Sequence, residues 1–149
     1  MIRYSFLILI SVLFFACGNN KTDEQVLVED SAFNKYSWEA TDTGRIVLMK
    51  KEGIGPDTLS PEGVVDFLNN NFPNVQLAIV KTSGDTLFLK IPQSTYLTQR
   101  MGSSGPESYF AEAVYNLTEI PGIHYVRFDF EEGDHAQPGT FNRESFKDE

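Results

Sequence analysis

The chain contains a single cysteine, Cys17, which directly follows a long apolar run. The run extends from Tyr4 to Phe15, and Arg3 is the only charged residue that precedes it. A positive residue, about 7–15 apolar residues and a small residue, here Ala16, are the features of an export signal. Exported domains of this size often use disulfides, but one thiol cannot form one within the chain. The domain that follows must therefore be held together by packing alone.

The residues from Phe14 to Cys17 resemble a lipobox, the motif at which a signal peptide is removed and the cysteine receives lipid. Ala16 matches the motif, whereas Phe14 and Phe15 give the relaxed form that is typical of Bacteroidetes-like lipoproteins. We therefore predict a lipoprotein signal peptide over residues 1–16, with palmitate and thioether-linked chains on Cys17 that hold the protein at a membrane. Because Gly18 follows the cysteine and Asp does not, the outer membrane is favoured, on its periplasmic or its surface face.

Composition divides the rest of the chain into three parts. Residues 17–34 are polar and carry both charge signs, which predicts the lipidated cysteine followed by a flexible tether. Residues 35–131 carry the periodic apolar pattern of a folded domain, and residues 132–149 are acidic and predict a loosely ordered tail. The formal charge of −9 repels phosphate. We therefore expect no nucleic-acid partner, and we expect the membrane to be contacted through the lipid on Cys17.

The hydrophobic periodicity predicts an α+β domain. The order of elements is strands, helix, hairpin, helix and strand, which predicts two helices packed on one face of a small mixed β-sheet. Ser60-Pro61-Glu62 is a typical helix start. The predicted elements are strands at 36–40 and 45–51, a helix from Ser60 to Asn71, a hairpin at 75–81 and 86–91, a short helix at 95–101, a helix from Pro106 and a strand at 123–130. In the last strand, we expect His124, Val126, Phe128 and Phe130 to face the core.

From about Val75 to Phe130 the sequence resembles the GerMN domain, named for sporulation and germination lipoproteins. The hairpin VQLAIVKTSGDTLFLKI and the segment MGSSGPESYFAEAVYNLTEIPGIHYVRFDF carry this resemblance. The most telling residues run from Ala113 to Ile123, and they are similar to the family's helix that ends in T-L-T-E-x-P-G-V. The resemblance implies a small α/β domain of envelope proteins with a binding or scaffolding role and without catalytic residues.

Two histidines and several acids are the candidate ligands for a metal. Glu131, Asp134 and His135 follow the last predicted strand, and a divalent cation is bound by such oxygen and imidazole groups. Because their spacing matches no known ligand motif, a solvated loop is the favoured interpretation and no metal is expected. His124 on the inner side of the strand is interpreted as a core residue.

The segment Gly102-Ser103-Ser104-Gly105 precedes the second long helix. Its backbone N–H groups are candidates for contact with a ligand or an anion, because the start of a helix carries partial positive charge. No lysine follows as in a phosphate-binding loop, so the alternative is a loop that only positions the helix. Ser103 or Ser104 as a hydrolase nucleophile is disfavoured, since the run G-S-S-G is not the G-x-S-x-G motif.

These observations predict a lipid-anchored protein of the cell envelope that binds an envelope protein or peptidoglycan. We expect no catalysis and no cofactor. The alternative is a small metal-dependent or hydrolytic module that uses the histidine and acidic residues near the C-terminus.

Overall fold

The computed structural model describes residues 35–147. The predicted signal peptide, Cys17 and the tether to residue 34 lie outside the described residues. The domain is α+β, as predicted. Its elements are β1 (Tyr36–Asp42), β2 (Ile46–Glu52), α1 (Pro61–Asn71), β3 (Ala78–Ser83), β4 (Thr86–Lys90), a π-helical turn (Tyr96–Arg100), α2 (Gly105–Leu117), β5 (Tyr125–Asp129), β6 (Gly139–Phe141) and a 3₁₀ turn (Arg143–Phe146). Among residues 35–147, no helix is long and apolar enough to cross a membrane.

The main sheet has four strands in the order β3-β4-β5-β6. Strands β4 and β5 are parallel, with Leu87 opposite Val126 and Leu89 opposite Phe128, and the two outer pairs are antiparallel. The segment that joins the parallel strands contains α2, because parallel neighbours need a long crossover. The predicted small mixed sheet is therefore confirmed.

One face of this sheet forms the core. Leu87, Leu89, Val126 and Phe128 each have 0% of their surface exposed. Helices α1 and α2 cover this face with buried Val, Leu, Phe and Ala side chains. Burying such side chains stabilises the fold by about 1.5–3 kcal/mol each and is the main force that holds the elements together.

The prediction that His124 faces the core is wrong, because His124 is exposed and Ile123 is buried in its place. The alternation begins only at Tyr125, where β5 begins. Before that point the chain is a turn, in which the Ile123 N–H donates to the Ile120 carbonyl at 3.0 Å. The alternating pattern of a strand does not extend into a turn, so His124 lies outside it.

Helix α1 begins as its sequence predicts. The Ser60 hydroxyl accepts a hydrogen bond from the Gly63 N–H at 3.1 Å, and Pro61 occupies the first helical position. Gly63 is required there, since an added Cβ would lie 2.3 Å from the Thr58 hydroxyl oxygen. The helix ends at Asn71, where Phe72 is the C-cap, and Pro73 follows.

Strands β1 and β2 form a separate antiparallel hairpin, which is attached to α2 by side chains. The Asn116 amide accepts from the Trp38 N–H at 2.9 Å and donates to the Trp38 carbonyl at 2.8 Å. One turn earlier, the Glu112 carboxylate accepts from the Ala40 N–H at 3.0 Å. Polar side chains of the helix thus take the place of a neighbouring strand and cover the edge of β1.

The prediction of a loosely ordered tail over residues 132–149 is wrong for residues 139–146. Strand β6 pairs with β5, and the Phe141 ring stacks on Phe110 with centroids 5.2 Å apart. Phe146 then stacks on Phe141 at 5.8 Å. Two aromatic side chains in an otherwise polar segment supply enough apolar contact to hold it.

Glu112 generates a prediction on pH dependence. Burial raises the pKa of its carboxyl, the hydrogen bond from Ala40 lowers it, and the charge of Glu39 raises it, with a net increase. An acid with a raised pKa in the folded state makes the protein less stable as the pH rises from the ordinary value of Glu through the raised one. We expect Glu112→Gln to be at least as stable as the natural protein at pH 7, since its amide oxygen still accepts from Ala40. Urea unfolding at pH 4 and pH 7 measures this.

The matched variant Glu112→Ala leaves the Ala40 N–H without its partner and should cost about 1–3 kcal/mol. A stability difference between Glu112→Gln and the natural protein that does not change with pH would contradict the raised pKa.

Tyr109 generates a prediction on core packing. Its side chain is 2% exposed, its ring packs edge-on against Phe72 at 5.0 Å, and its hydroxyl has no hydrogen-bond partner. A buried hydroxyl without a partner has lost its hydrogen bonds to water and has not replaced them with bonds to the protein. Tyr109→Phe should therefore raise the free energy of unfolding by about 1–3 kcal/mol. The exposed Tyr125 is the control, and Tyr125→Phe should change stability by less than about 0.5 kcal/mol. Urea unfolding checks both, and a destabilised Tyr109→Phe would show that the hydroxyl is satisfied.

Candidate functional site

The glycine–serine loop lies beside the β1–β2 hairpin. Ser104 directly precedes α2 and makes no capping bond with its own side chain. A hydrogen bond between the Ser104 side chain and Asp42, followed by one from the Gly44 N–H, lowers the pKa of the Asp42 carboxyl. Gly102, with a φ of 78°, makes the turn that leads into the loop. A carboxylate thus lies against the residues predicted to contact an anion, and an anion is disfavoured at this place.

The acids and the histidine near the C-terminus lie in the turn after β5. The Gly133 N–H donates to the Ala136 carbonyl and the His135 N–H donates to the Thr98 carbonyl, both at 3.1 Å. Glu131, Asp134 and His135 themselves are exposed. Over residues 35–147, no three His, Cys, Asp or Glu side chains stand close enough together to hold one metal ion.

The two histidines are at opposite ends of β5. The His124 N–H donates to the Asp85 carbonyl at 2.8 Å just before the strand begins, and His135 follows its end. A strand of this length spans roughly 17 Å. The structure therefore does not bring His124 together with Glu131, Asp134 and His135, as the metal-dependent or hydrolytic alternative requires.

A depression lies at the carboxyl ends of β4 and β5, and we call it the carboxyl-end depression. Its volume is about 740 Å³. This edge of parallel strands is the usual position of ligands in open α/β sheets, because the chain departs from the two strands there and leaves a crevice. The residues that line the carboxyl-end depression are Pro73, Asn74, Gln76, Pro92, Gln93, Ser94, Thr95, Tyr96, Arg100 and Glu131.

Backbone contacts hold the floor of the depression in place. The Ile91 N–H donates to the Asp129 carbonyl at 2.9 Å, which extends the pairing of the parallel strands. The buried Ser94 hydroxyl donates to the Glu131 carbonyl at 2.7 Å. On the far side, the Gln76 amide donates to the carbonyls of Asn69 and Pro73 at 3.1 and 3.2 Å and closes the end of α1. These hydrogen bonds therefore fix the segments of chain that carry the lining residues.

Most of the polar side chains around the depression have no hydrogen-bond or ion-pair partner within residues 35–147. Of the residues that the structure describes there, six make no side-chain hydrogen bond or ion pair with the domain. They are Asn74, Gln93, Thr95, Tyr96, Arg100 and Glu131. These groups are free to bind a ligand.

Sequence reasoning named Glu131 as a candidate metal ligand, and it missed the other lining residues. Asn74 and Gln93 each follow a proline that ends an element, which looks like ordinary turn chemistry. Only the parallel pairing of β4 and β5 brings these two turns to one edge of the sheet. That pairing joins residues far apart in the chain, so no local pattern signals the site.

A second polar cluster surrounds Glu119 at the end of α2. Its carboxylate accepts hydrogen bonds from the Tyr36 hydroxyl, the Arg143 guanidinium and the Trp38 indole N–H, the last at 2.9 Å. The Arg143 guanidinium also lies 5.0 Å from the ring centroid of Tyr115. The cluster joins the first strand, the second long helix and the C-terminal 3₁₀ turn, which is a structural role.

The pKa values of this cluster follow from its contacts. Burial raises the pKa of Glu119, but the hydrogen bonds from Tyr36, Arg143 and Trp38 together hold it below its ordinary value. The hydrogen bond to Glu119, and then burial, raises the pKa of Tyr36 to about 12. The carboxylate is therefore ionised, and the tyrosine stays protonated, near neutral pH.

Glu119→Gln tests the cluster. The variant loses the charge and replaces one of the two accepting oxygens with an NH2 group, which opposes a donor, and this should cost about 1.5–3 kcal/mol at pH 7. Because a lowered pKa contributes stability that is lost as the pH falls below the ordinary value of Glu, the difference from the natural protein should shrink in acid. Urea unfolding followed by circular dichroism at several pH values measures it.

The control is Glu107→Gln, an exposed carboxylate in the first turn of the same helix, which should cost less than about 1 kcal/mol. Equal effects of the two substitutions at pH 7 would show that the cluster adds nothing beyond its charge.

Compared with models of known protein families, with characterised proteins and with solved structures, the chain matches none of them. The resemblance to the GerMN domain family therefore stays a prediction from the sequence.

Proposed function

We propose that this chain is a lipid-anchored protein of the cell envelope whose GerMN-like α+β domain binds a partner and does not catalyse a reaction. Its partner is an envelope protein or peptidoglycan, and its anchor is lipid on Cys17, most simply at the outer membrane. The apolar run that ends at Ala16 and the lone cysteine after it support the anchor.

The carboxyl-end depression is the observation that carries the binding role. It gathers free amide, hydroxyl, guanidinium and carboxylate groups at one edge of the sheet. Ligand-binding sites are typically crevices in a well-packed domain on which free polar groups converge. The position of His124 at the other end of β5 from His135 supports binding over acid–base or metal chemistry.

The first experiment is a crosslinked pull-down of the full-length protein from its native membrane, with Cys17→Ser as the matched variant. We expect the natural protein to incorporate an alkyne analogue of palmitate, to sediment with membranes and to retain a protein or peptidoglycan partner. We expect Cys17→Ser to lose the label, because a hydroxyl at residue 17 cannot form the thioether that carries the lipid.

Two results would contradict this proposal. Labelling that persists in Cys17→Ser would remove the anchor from Cys17. A natural protein that sediments with membranes but retains no partner after crosslinking would remove the binding role and favour the enzymatic alternative.

A further inference from the structure

The charges around the carboxyl-end depression balance. Among the described residues that line it, Arg100 is the one cation and Glu131 the one anion, and the others are uncharged. The whole chain, in contrast, carries a formal charge of −9. A site for an anionic ligand gathers positive charge, and a site for a cationic ligand gathers negative charge. The balance at this place favours a ligand without net charge.

From these groups we infer that the carboxyl-end depression binds a neutral saccharide. This inference rests on the proposed binding function and names the ligand of its site. A sugar presents many hydroxyls, each of which both donates and accepts a hydrogen bond. The amides of Asn74 and Gln93 and the hydroxyls of Thr95 and Tyr96 also do both, so they match such a ligand in either direction.

The apolar part of the lining fits the same ligand. Tyr96 is half-buried and contributes a ring, and Pro73 and Pro92 contribute two more flat apolar surfaces. A sugar ring has C–H groups on its faces, and it gains from contact with an apolar surface while its hydroxyls meet polar groups around the rim. The volume of about 740 Å³ lies within the range of small-molecule sites.

Arg100 and Glu131 extend the hydrogen-bonding capacity of the site. A guanidinium donates only and a carboxylate accepts only, so the pair serves opposite directions of the same sugar hydroxyls. Hydrogen bonds to charged groups are about twice as strong as those between neutral groups. Both side chains are exposed and make no ion pair in the described domain, so a ligand does not have to displace an existing contact.

Titration of the Cys17→Ser protein, produced as residues 17–149 without the predicted signal peptide, with three tetrasaccharides, followed by amide NMR shifts, tests the inference. The probes are chitotetraose, which is neutral and acetylated, cellotetraose, which is neutral with hydroxyls only, and the anionic tetramer of galacturonic acid. We expect at least one neutral tetramer to shift the amides of residues 73–76, 92–100 and 131 in a saturable manner, and the anionic one to bind more weakly.

Gln93→Ala should weaken that binding about 3- to 10-fold, the effect of one lost hydrogen bond. The control is Gln99→Ala, a glutamine that is equally exposed and has no partner but lies outside the lining. It should bind as the natural protein does. Neither glutamine contacts the core, so both variants keep the fold.

Three results would overturn the inference: no saturable shift with either neutral tetramer, tighter binding of the anionic tetramer, or equal effects of the two glutamine substitutions. The pull-down separates this outcome from the fate of the proposed function. A protein partner that is retained while no saccharide binds leaves the binding role standing and removes only its ligand.

Discussion

Helix α2 must satisfy two opposite demands, because it is buried both against the sheet and against the β1–β2 hairpin. On one side, Phe110, Val114 and Leu117 pack into the apolar core. On another, Glu112 and Asn116 are nearly as buried, and a buried polar group without a partner costs about 1–3 kcal/mol. The backbone of β1 provides those partners at Trp38 and Ala40. The hairpin and the helix therefore need each other.

The contacts between α2 and the β1–β2 hairpin do not involve the carboxyl-end depression. The hairpin and the C-terminal 3₁₀ turn bind α2 through Glu112, Asn116 and Glu119, none of which lines the depression. The depression depends instead on the parallel pair β4 and β5 and on the turn that contains Pro92. The polar side chains that hold the hairpin are thus satisfied within the described domain, whereas six polar side chains of the proposed site have no partner there. This contrast separates a polar group that holds the fold from one that is available to a ligand.

Elements with a strong local signal were predictable. The Ser60 cap and Pro61 start α1, and the alternation around Val126 and Phe128 places β5 in the core. The wrong predictions lie where the tertiary structure overrides a local sequence pattern. His124 continues the alternation of apolar and polar residues but lies between a turn and the start of β5, and the segment around Phe141 is mostly polar but is held by stacking on Phe110. Neither the exposure of His124 nor the stacking of Phe141 can be predicted from the residues next to it in the chain.

The amino-acid order alone was sufficient to predict an export signal, to exclude an internal disulfide and to predict the α+β class that the structure shows, because each depends on residue counts, on neighbouring residues or on their periodicity. The tertiary structure decided which strands are neighbours, and with that the position of the depression. Pro73 and Pro92 are close only because α1 packs beside the hairpin of β3 and β4, and Glu131 joins them only because β5 runs parallel to β4. Contacts between residues so distant in sequence are set by the burial of one shared core, which no short segment specifies by itself.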